Sequence, residues 1–403
     1  MSNYTEEKGI VIVGGGICGL ATALALHKKG IESVVLEKAE SIRAAGSAIG
    51  IFTNGWYALD QLGLANQLRQ KAILLKGFRD IEFNNPKEQE VPMGNGELRC
   101  LKRSDLVQTL ADSLPNETIR FGCHIVSAKF DPINSQPLLH LQDGSVIKPK
   151  VVIGCDGVNY VVSELIGLKP TNLFASCAVR GFTNYPSGHG FSNEFLRIRK
   201  NNIILGRLPV DNYLVHWFVG RPGTSSDLRV SKDPELIRES TIESINDFPP
   251  ECVEMVKKCD LNEVSLTNLR YRPPLDILLG NFRKGTVIVA GDVMHVWGPY
   301  IGQGGAAALE DGIVLARNLA QAMCKKRGTT ADGNQVTQER IGKAMDQFVK
   351  ERRMRLFMMS LNTYILGRLL EASSPLTKFV LIVGLILFFS NSLGHSQHNC
   401  GPL

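Results

Sequence analysis

The stretch from residue 291 to 312, GDVMHVWGPYIGQGGAAALEDG, has the composition for chemistry on a bound ring that accepts charge. Gly302, Gly304 and Gly305 lack a Cβ and let a ligand approach the backbone, and the N–H groups opening the alanine-rich run after them favour developing negative charge. A reduced flavin, anionic near its pyrimidine edge, suits such a loop. A glycine-rich turn that only starts a buried helix is the competing reading. The second stretch is GGGICG at residues 14–19, with an acid at Glu37. Gly14 suits the tight turn, Gly16 lets the backbone meet a pyrophosphate, and Gly19 lets a helix pack on its strand. Glu37 falls where it can accept hydrogen bonds from an adenosine ribose. An acid there favours an unphosphorylated ribose, so the ligand is FAD or NAD rather than NADP, and these residues do not separate the two. A third candidate, Asp156-Gly157, closes an apolar run and reads as a nucleotide contact or as an ordinary turn.

The elements around these residues must deliver them to one place. Residues 10–13 form a short apolar strand, residues 20–27 recur at helical spacing until Gly30, and residues 33–36 make a second strand ending on Glu37. Residues 146–153 and 286–290 are further apolar strands, each running into a candidate site. Arg43, just past the second strand, reads as a phosphate clamp or a surface cap. Arg103-Ser104-Asp105 opens a helix with Ser104 as its cap. From residue 173 to 269 the pattern turns to longer β runs. In one of them Tyr213, Val215 and Trp217 point one way and Leu214, His216 and Phe218 the other. Tyr213, His216 and Trp217 are the candidates for a substrate pocket, with plain core packing as the rival reading. These patterns imply an α/β protein: a Rossmann-like, three-layer nucleotide domain with a mostly parallel sheet (residues 1–76, 98–172 and 270–326). An inserted mixed β-sheet domain (77–97 and 173–269) and a helical C-terminal region (339–403) complete it.

The 403-residue chain is long enough for a large core, and 44% apolar with 21% charged residues is ordinary for a globular protein. A net charge of +6 is mild, with no basic and aromatic interleaving of the kind a nucleic-acid surface needs. Nine cysteines without a CxxC pair argue for a reducing compartment, and no metal site is expected. The N-terminus has neither a secretory apolar region nor a transit pattern, so a cytoplasmic location is expected. Residues 379–389, FVLIVGLILFF, are uncharged but about half the length that spans a bilayer. A docked helix, a lid or a peripheral membrane contact are the readings open to them, the last helped by the basic run at residues 350–355.

In combination, GGGICG with Glu37, Cys155-Asp156-Gly157, and the long Gly291–Asp311 motif resemble the single-component FAD-dependent monooxygenases of the p-hydroxybenzoate hydroxylase type, closest to plant monooxygenases related to zeaxanthin epoxidase. The RSDL at Arg103 and the helix near Gly63 extend the likeness over most of residues 9–325. The resemblance implies that Gly14, Gly16, Gly19, Glu37, Lys38, Arg43 and Arg103 hold the FAD adenosine and pyrophosphate. Asp292 would meet the ribityl hydroxyls, residues 299–305 would surround the isoalloxazine, and Asp156 would sense both FAD and a transient NAD(P)H. It further implies insertion of one oxygen atom from O2 into a small apolar or aromatic substrate through a flavin C4a-hydroperoxide. Hydroxylation and epoxidation are both open, and no obligate protein partner is implied. His295, Pro299 and Tyr300 are the catalytic candidates, His295 as a proton relay or as a structural residue. Tyr160 and Ser163 depart from the family's Ser and Arg after the Asp-Gly pair, and Met294, Val296 and Trp297 depart around His295. A flavin reductase or dehydrogenase on the same scaffold, and a non-catalytic FAD binder, are the rival functions.

Overall fold

The computed structural model describes residues 5–42, 47–82, 88–92, 96–158, 161–324, 333–389 and 394–403. Its largest sheet has a parallel centre in which the strands Val287–Val289, Val146–Gly154, Thr5–Val13, Ser33–Leu36 and Ile119–Arg120 lie side by side. Their near-continuous valine and isoleucine content suits strands covered on both faces. The register sets where these strands end. Val13 lies opposite both Gly154 and Leu36, and Gly154 lies opposite Val289, so the strand ends are level. Gly14, Glu37, Asp156 and Gly291 therefore emerge on one edge, the carboxyl edge where open α/β sheets bind ligands. The helices Ile17–Lys28 and Gly304–Cys324 cross close together; a Cβ on Gly312 would stand 2.9 Å from the Thr22 nitrogen.

Weak alternation over residues 121–140 suggests strands of a small crossover sheet. The hairpin Ile125–Phe130 and Pro137–Leu141 joins the main sheet, because Leu139 and His140 pair antiparallel with Ile147 and Val146. The helical run expected at 56–68 is two helices, Thr53–Leu62 and Ala65–Lys71, broken where Gly63 takes a left-handed φ of 75°.

A seven-stranded sheet stands over this carboxyl edge. Its order is Ser265–Tyr271, Asn172–Asn184, Leu214–Pro222, Ile203–Pro209, Phe195–Lys200, Gly77–Glu82 and Glu88–Pro92, so strands from both sides of the nucleotide-binding segments join one sheet. Val179, Val215, Trp217 and Val219 pack one face against the helices Pro234–Ser244 and Pro250–Lys257. Phe182 and Leu208, on the other face, meet Phe52, Leu98 and Cys100 of the nucleotide-binding part. The helix Gly333–Glu371, at 39 residues the longest described, runs past both parts and is followed by the helix Pro375–Phe389.

Candidate cofactor and substrate cleft

The turn after the first strand is built so that only glycine fits. Gly14 has a φ of 106° and a Cβ there would lie 2.5 Å from the Cys155 carbonyl oxygen; one on Gly19 would lie 1.9 Å from the Gly14 oxygen. Gly16, by contrast, faces open space. Glu37 locks the turn: Oε2 accepts from the Gly15 N–H at 2.7 Å and Oε1 from the Ala39 N–H at 2.9 Å. Each oxygen keeps a lone pair for a ligand hydroxyl. Beside them lies a cavity of about 490 Å³, within the range of small-molecule sites, lined by Gly14, Gly16, Glu37, Lys38, Arg103, Asp156 and Gly157 among others. Arg43 and Tyr160 lie outside the described residues. Ser163 is buried.

Asp156 sits where burial raises its carboxyl to about 7, against the pull of backbone N–H groups and Lys38. Asp292 opens a four-residue helical turn, Asp292–His295. It is exposed at the surface yet surrounded by protein atoms, so burial pushes its carboxyl up while His295 and Arg103 pull it back. Gly291, at a φ of 65°, fits against Cys18, whose Cβ would be 2.8 Å from an added one. Gly302 is left-handed at 62°, Gly304 faces open space, and a Cβ on Gly305 would strike Ile49 at 2.4 Å. These features fit FAD: a backbone turn open to a pyrophosphate, an acid for a ribose, a second acid farther along, and a helix start bare of side chains.

His295 is fully buried. Its Nε2 is 2.6 Å from Asp311 Oδ2, its ring stacks on Trp297 at 4.7 Å, and its Nδ1 has no partner among the described residues. Asp311 Oδ2 also accepts from the Gly291 N–H at 2.9 Å, and Oδ1 accepts from Arg352 Nε at 2.7 Å. Arg352 donates to Glu310 at 2.5 Å, and Arg355 and Asn54 donate to the same carboxylate. Burial alone would raise both acids. The cationic partners prevail, holding Glu310 and Asp311 at about 2. This network clamps the 291–311 loop to the long helix and fixes the orientation of the His295 ring. It also corrects the reading of residues 350–355 as a basic surface: Arg352 is 1% exposed, and Arg353 donates to the carbonyls of Ile277, Leu278 and Gly280.

Pro299 is exposed on its short turn, while Tyr300 turns toward the upper sheet. The Tyr300 hydroxyl is 3.3 Å from Ser176 Oγ and its ring meets Phe174 edge-on; burial pushes the phenol up to about 12. Two of the three substrate candidates are corrected. Tyr213 lies 54% exposed in the turn before its strand, its backbone bonded to Asp211. Trp217 is fully buried on the helix side, its Nε1 donating to Thr183 Oγ1 at 3.1 Å. His216 has the opposite parity and lies on the Phe182 face turned toward the nucleotide-binding part. The Gly181 carbonyl, 3.0 Å from His216 Nδ1, can only accept, so that nitrogen carries the proton; burial and then Arg180 hold the imidazole down at about 3.

Arg180 escapes a reading of the sequence alone. It shares the cleft face with Ser176, Ala178 and Phe182, and burial, then nearby Arg103, pulls its guanidinium down. Neither Arg180 nor Arg103 makes a side-chain hydrogen bond or ion pair among the described residues. Arg103 lies near enough to Asp292 to lower its carboxyl, whereas Arg180 feels only burial and Arg103, so Arg180 marks where a ligand's negative charge belongs. The signal that could have found it is an arginine in the middle of the apolar strand CAVRGF.

Residues 7–340 match the family model described as FAD binding domain. The chain is 48% identical over 400 residues to "Monooxygenase 1" of Arabidopsis thaliana, covering 99% of this chain and 100% of the relative. It is 34% identical over 413 residues to "Monooxygenase 2" of the same plant, at 99% of each. Among solved structures, Klebsiella pneumoniae HpxO complexed with FAD and uric acid superposes with a TM-score of 0.79 at 18% identity, covering 98% of each chain. Pseudomonas aeruginosa PqsL in complex with 2-aminobenzoylacetate gives 0.73 at 19% identity, covering 94% of this chain and 100% of that one. At such identities these two likenesses establish the fold.

Proposed function

The chain belongs to the FAD-binding family of flavin-dependent monooxygenases, and from that premise we propose that it uses NAD(P)H and O2 to insert one oxygen atom into a small apolar or aromatic compound. The observation that carries the reading is the level alignment of Gly14, Glu37, Asp156 and Gly291 on one sheet edge beneath the Arg180 face of the second sheet. Bound FAD would supply hydride acceptance and oxygen activation, chemistry that belongs to the cofactor. The chain's own residues do the rest. Glu37 accepts from ribose hydroxyls, Arg103 balances phosphate charge, and Asp292 accepts from hydroxyls farther along the cofactor. The bare helix start at Gly304 and Gly305 directs N–H groups at developing negative charge.

On the same sheet as Arg180, Phe182 pairs with His216 and Phe174 with Tyr300, two aromatic contacts that give this face an apolar character. Arg180 gives that face one positive charge, which suits a substrate carrying an acidic or phenolic group on an apolar body. The likeness to Monooxygenase 1 and Monooxygenase 2 supports the reaction class. The test is oxygen uptake by the purified yellow protein with NADH or NADPH, against a panel of phenolic, indolic and terpenoid compounds. Uptake raised by one compound, with a product heavier by one oxygen atom, is the expected result. Product formed equally well without oxygen would replace the reading with a reductase. A flavin that neither nucleotide bleaches would replace it with a non-catalytic binder.

A further inference from the structure

The helix Pro375–Phe389 reads PLTKFVLIVGLILFF and has no charged residue after Lys378. A helix apolar around its whole circumference belongs inside a protein core or in lipid. This one is not in the core, for none of its residues is buried. Leu381, Gly384, Leu385 and Phe389 are the half-covered ones and form a single stripe, along which Gly384 faces Ile365 of the long helix. Away from that stripe stand Leu376, Phe379, Val380, Ile382, Ile386 and Leu387, with Leu387 72% exposed. An amphipathic docking helix would show a polar back to water, and here the back is apolar as well.

The chain is held on both sides of this helix. Before it, the long helix carries Arg352 and Arg355 of the buried network. After it, Arg355 donates to the His395 carbonyl at 3.0 Å, Arg317 to the carbonyls of Cys400 and Pro402, and the Leu403 N–H to Gln61. The chain thus leaves the body and returns to the same body, so the helix is a fixed projection and not a crossing. Its 15 described residues make a rod of about 22 Å.

We propose that Pro375–Phe389 inserts into one leaflet of a lipid bilayer as a monotopic docking element, with Lys378 at the headgroup level and the catalytic body in water. The positive balance of the chain favours a surface containing anionic lipid. A second copy of the chain is the competing occupant. It would cover one side of the helix and leave the rest of its apolar arc in water, which is why the bilayer is the better fit.

The test uses the full FAD-loaded chain and vesicles of phosphatidylcholine mixed with phosphatidylglycerol. The expected result is cosedimentation of the wild type and a loss of about 100-fold or more in partitioning for the double variant Ile386→Asp, Leu387→Asp. The variant's flavin spectrum and circular dichroism stay unchanged, since both positions face outward. A Phe388→Trp variant should lose fluorescence to brominated acyl chains, a signal that shallow electrostatic adsorption would not give. Wild type left in the supernatant, or equal binding by the double variant, overturns the proposal. So does a lipid-free dimer that the double variant dissociates while neither form binds vesicles.

Discussion

Two groups of charged side chains are withdrawn from bulk water in this molecule, and they are built on opposite plans. Around Asp311 the charges close on one another: Arg352 and Arg355 meet Glu310 and Asp311, and the backbone of Gly291 and the ring of His295 take up what remains. Beneath the upper sheet, Arg180 stands near Arg103, whose charge Asp292 partly answers, and no protein anion among the described residues answers Arg180 itself. The first group shapes a loop, and the second is complete only when a ligand brings negative charge. Burial by itself therefore does not mark a functional site; an uncompensated charge within burial does.

The largest effect expected from this contrast is on stability. Arg352→Met removes the shared partner of Glu310 and Asp311 and leaves two buried acids facing each other. That should cost about 3–5 kcal/mol, read as a shift in the denaturant midpoint at neutral pH together with weaker flavin retention. A midpoint within about 1 kcal/mol of wild type would show that the network is not closed as described.

The closed group also predicts a pH dependence. Both acids have folded-state values near 2, below their ordinary 4.5 and 3.8, so their contribution is fully present above the ordinary values and is lost as pH falls toward 2. Each acid contributes a few kcal/mol at neutral pH by this linkage, roughly 2 for Asp311 and 3 or more for Glu310. Acid unfolding followed by flavin release should be steep between pH 4 and 2 in the wild type. Asp311→Asn should be less stable at neutral pH and flatter across that window, because one of the two groups no longer titrates. Equal slopes for the two proteins would break the account.

The open group predicts the reverse pattern. Arg180→Gln relieves a like-charge pair, so its unfolding midpoint should stay within about 1 kcal/mol of wild type or rise. Its KM for the substrate found in the uptake assay should rise roughly 10- to 100-fold, the weight of a charge-assisted contact. A stability loss comparable to that of Arg352→Met would mean Arg180 belongs to a structural network as well.

How far the sequence revealed each group depends on distance along the chain. The glycine turn and Glu37 were legible because each depends on neighbours within one strand-turn-helix unit, whereas the level strand ends rest on pairings between Val13, Gly154 and Val289, far apart in the chain. The closed network was not, since Arg352 meets Asp311 across 41 residues and its local context shows only a run of basic residues. Alternation in the strand Leu214–Pro222 separated His216 from Trp217 correctly, but period two cannot say which face meets helices and which meets a cleft. That depended on the helices Pro234–Ser244 and Pro250–Lys257 covering one side.

Glu37 stands between the two plans, and substituting it should have the smallest effect. Its carboxylate is half closed: the Gly15 and Ala39 N–H groups each occupy one oxygen, and a ribose would use the lone pairs that remain. Glu37→Gln keeps the shape but exchanges one acceptor oxygen for an NH2 that can only donate. Either the amide nitrogen faces one of the two N–H groups, or the side chain turns and a ribose hydroxyl loses its acceptor. Both outcomes weaken FAD binding while leaving the fold in place, because the turn is still set by Gly14 and Gly19. An increase of about 10-fold in the FAD dissociation constant is expected, the weight of one hydrogen bond to a charged group, with an apoprotein midpoint shifted by about 1 kcal/mol at most. A large loss of apoprotein stability would instead assign Glu37 to the closed class, as a structural staple whose contact with the nucleotide is secondary.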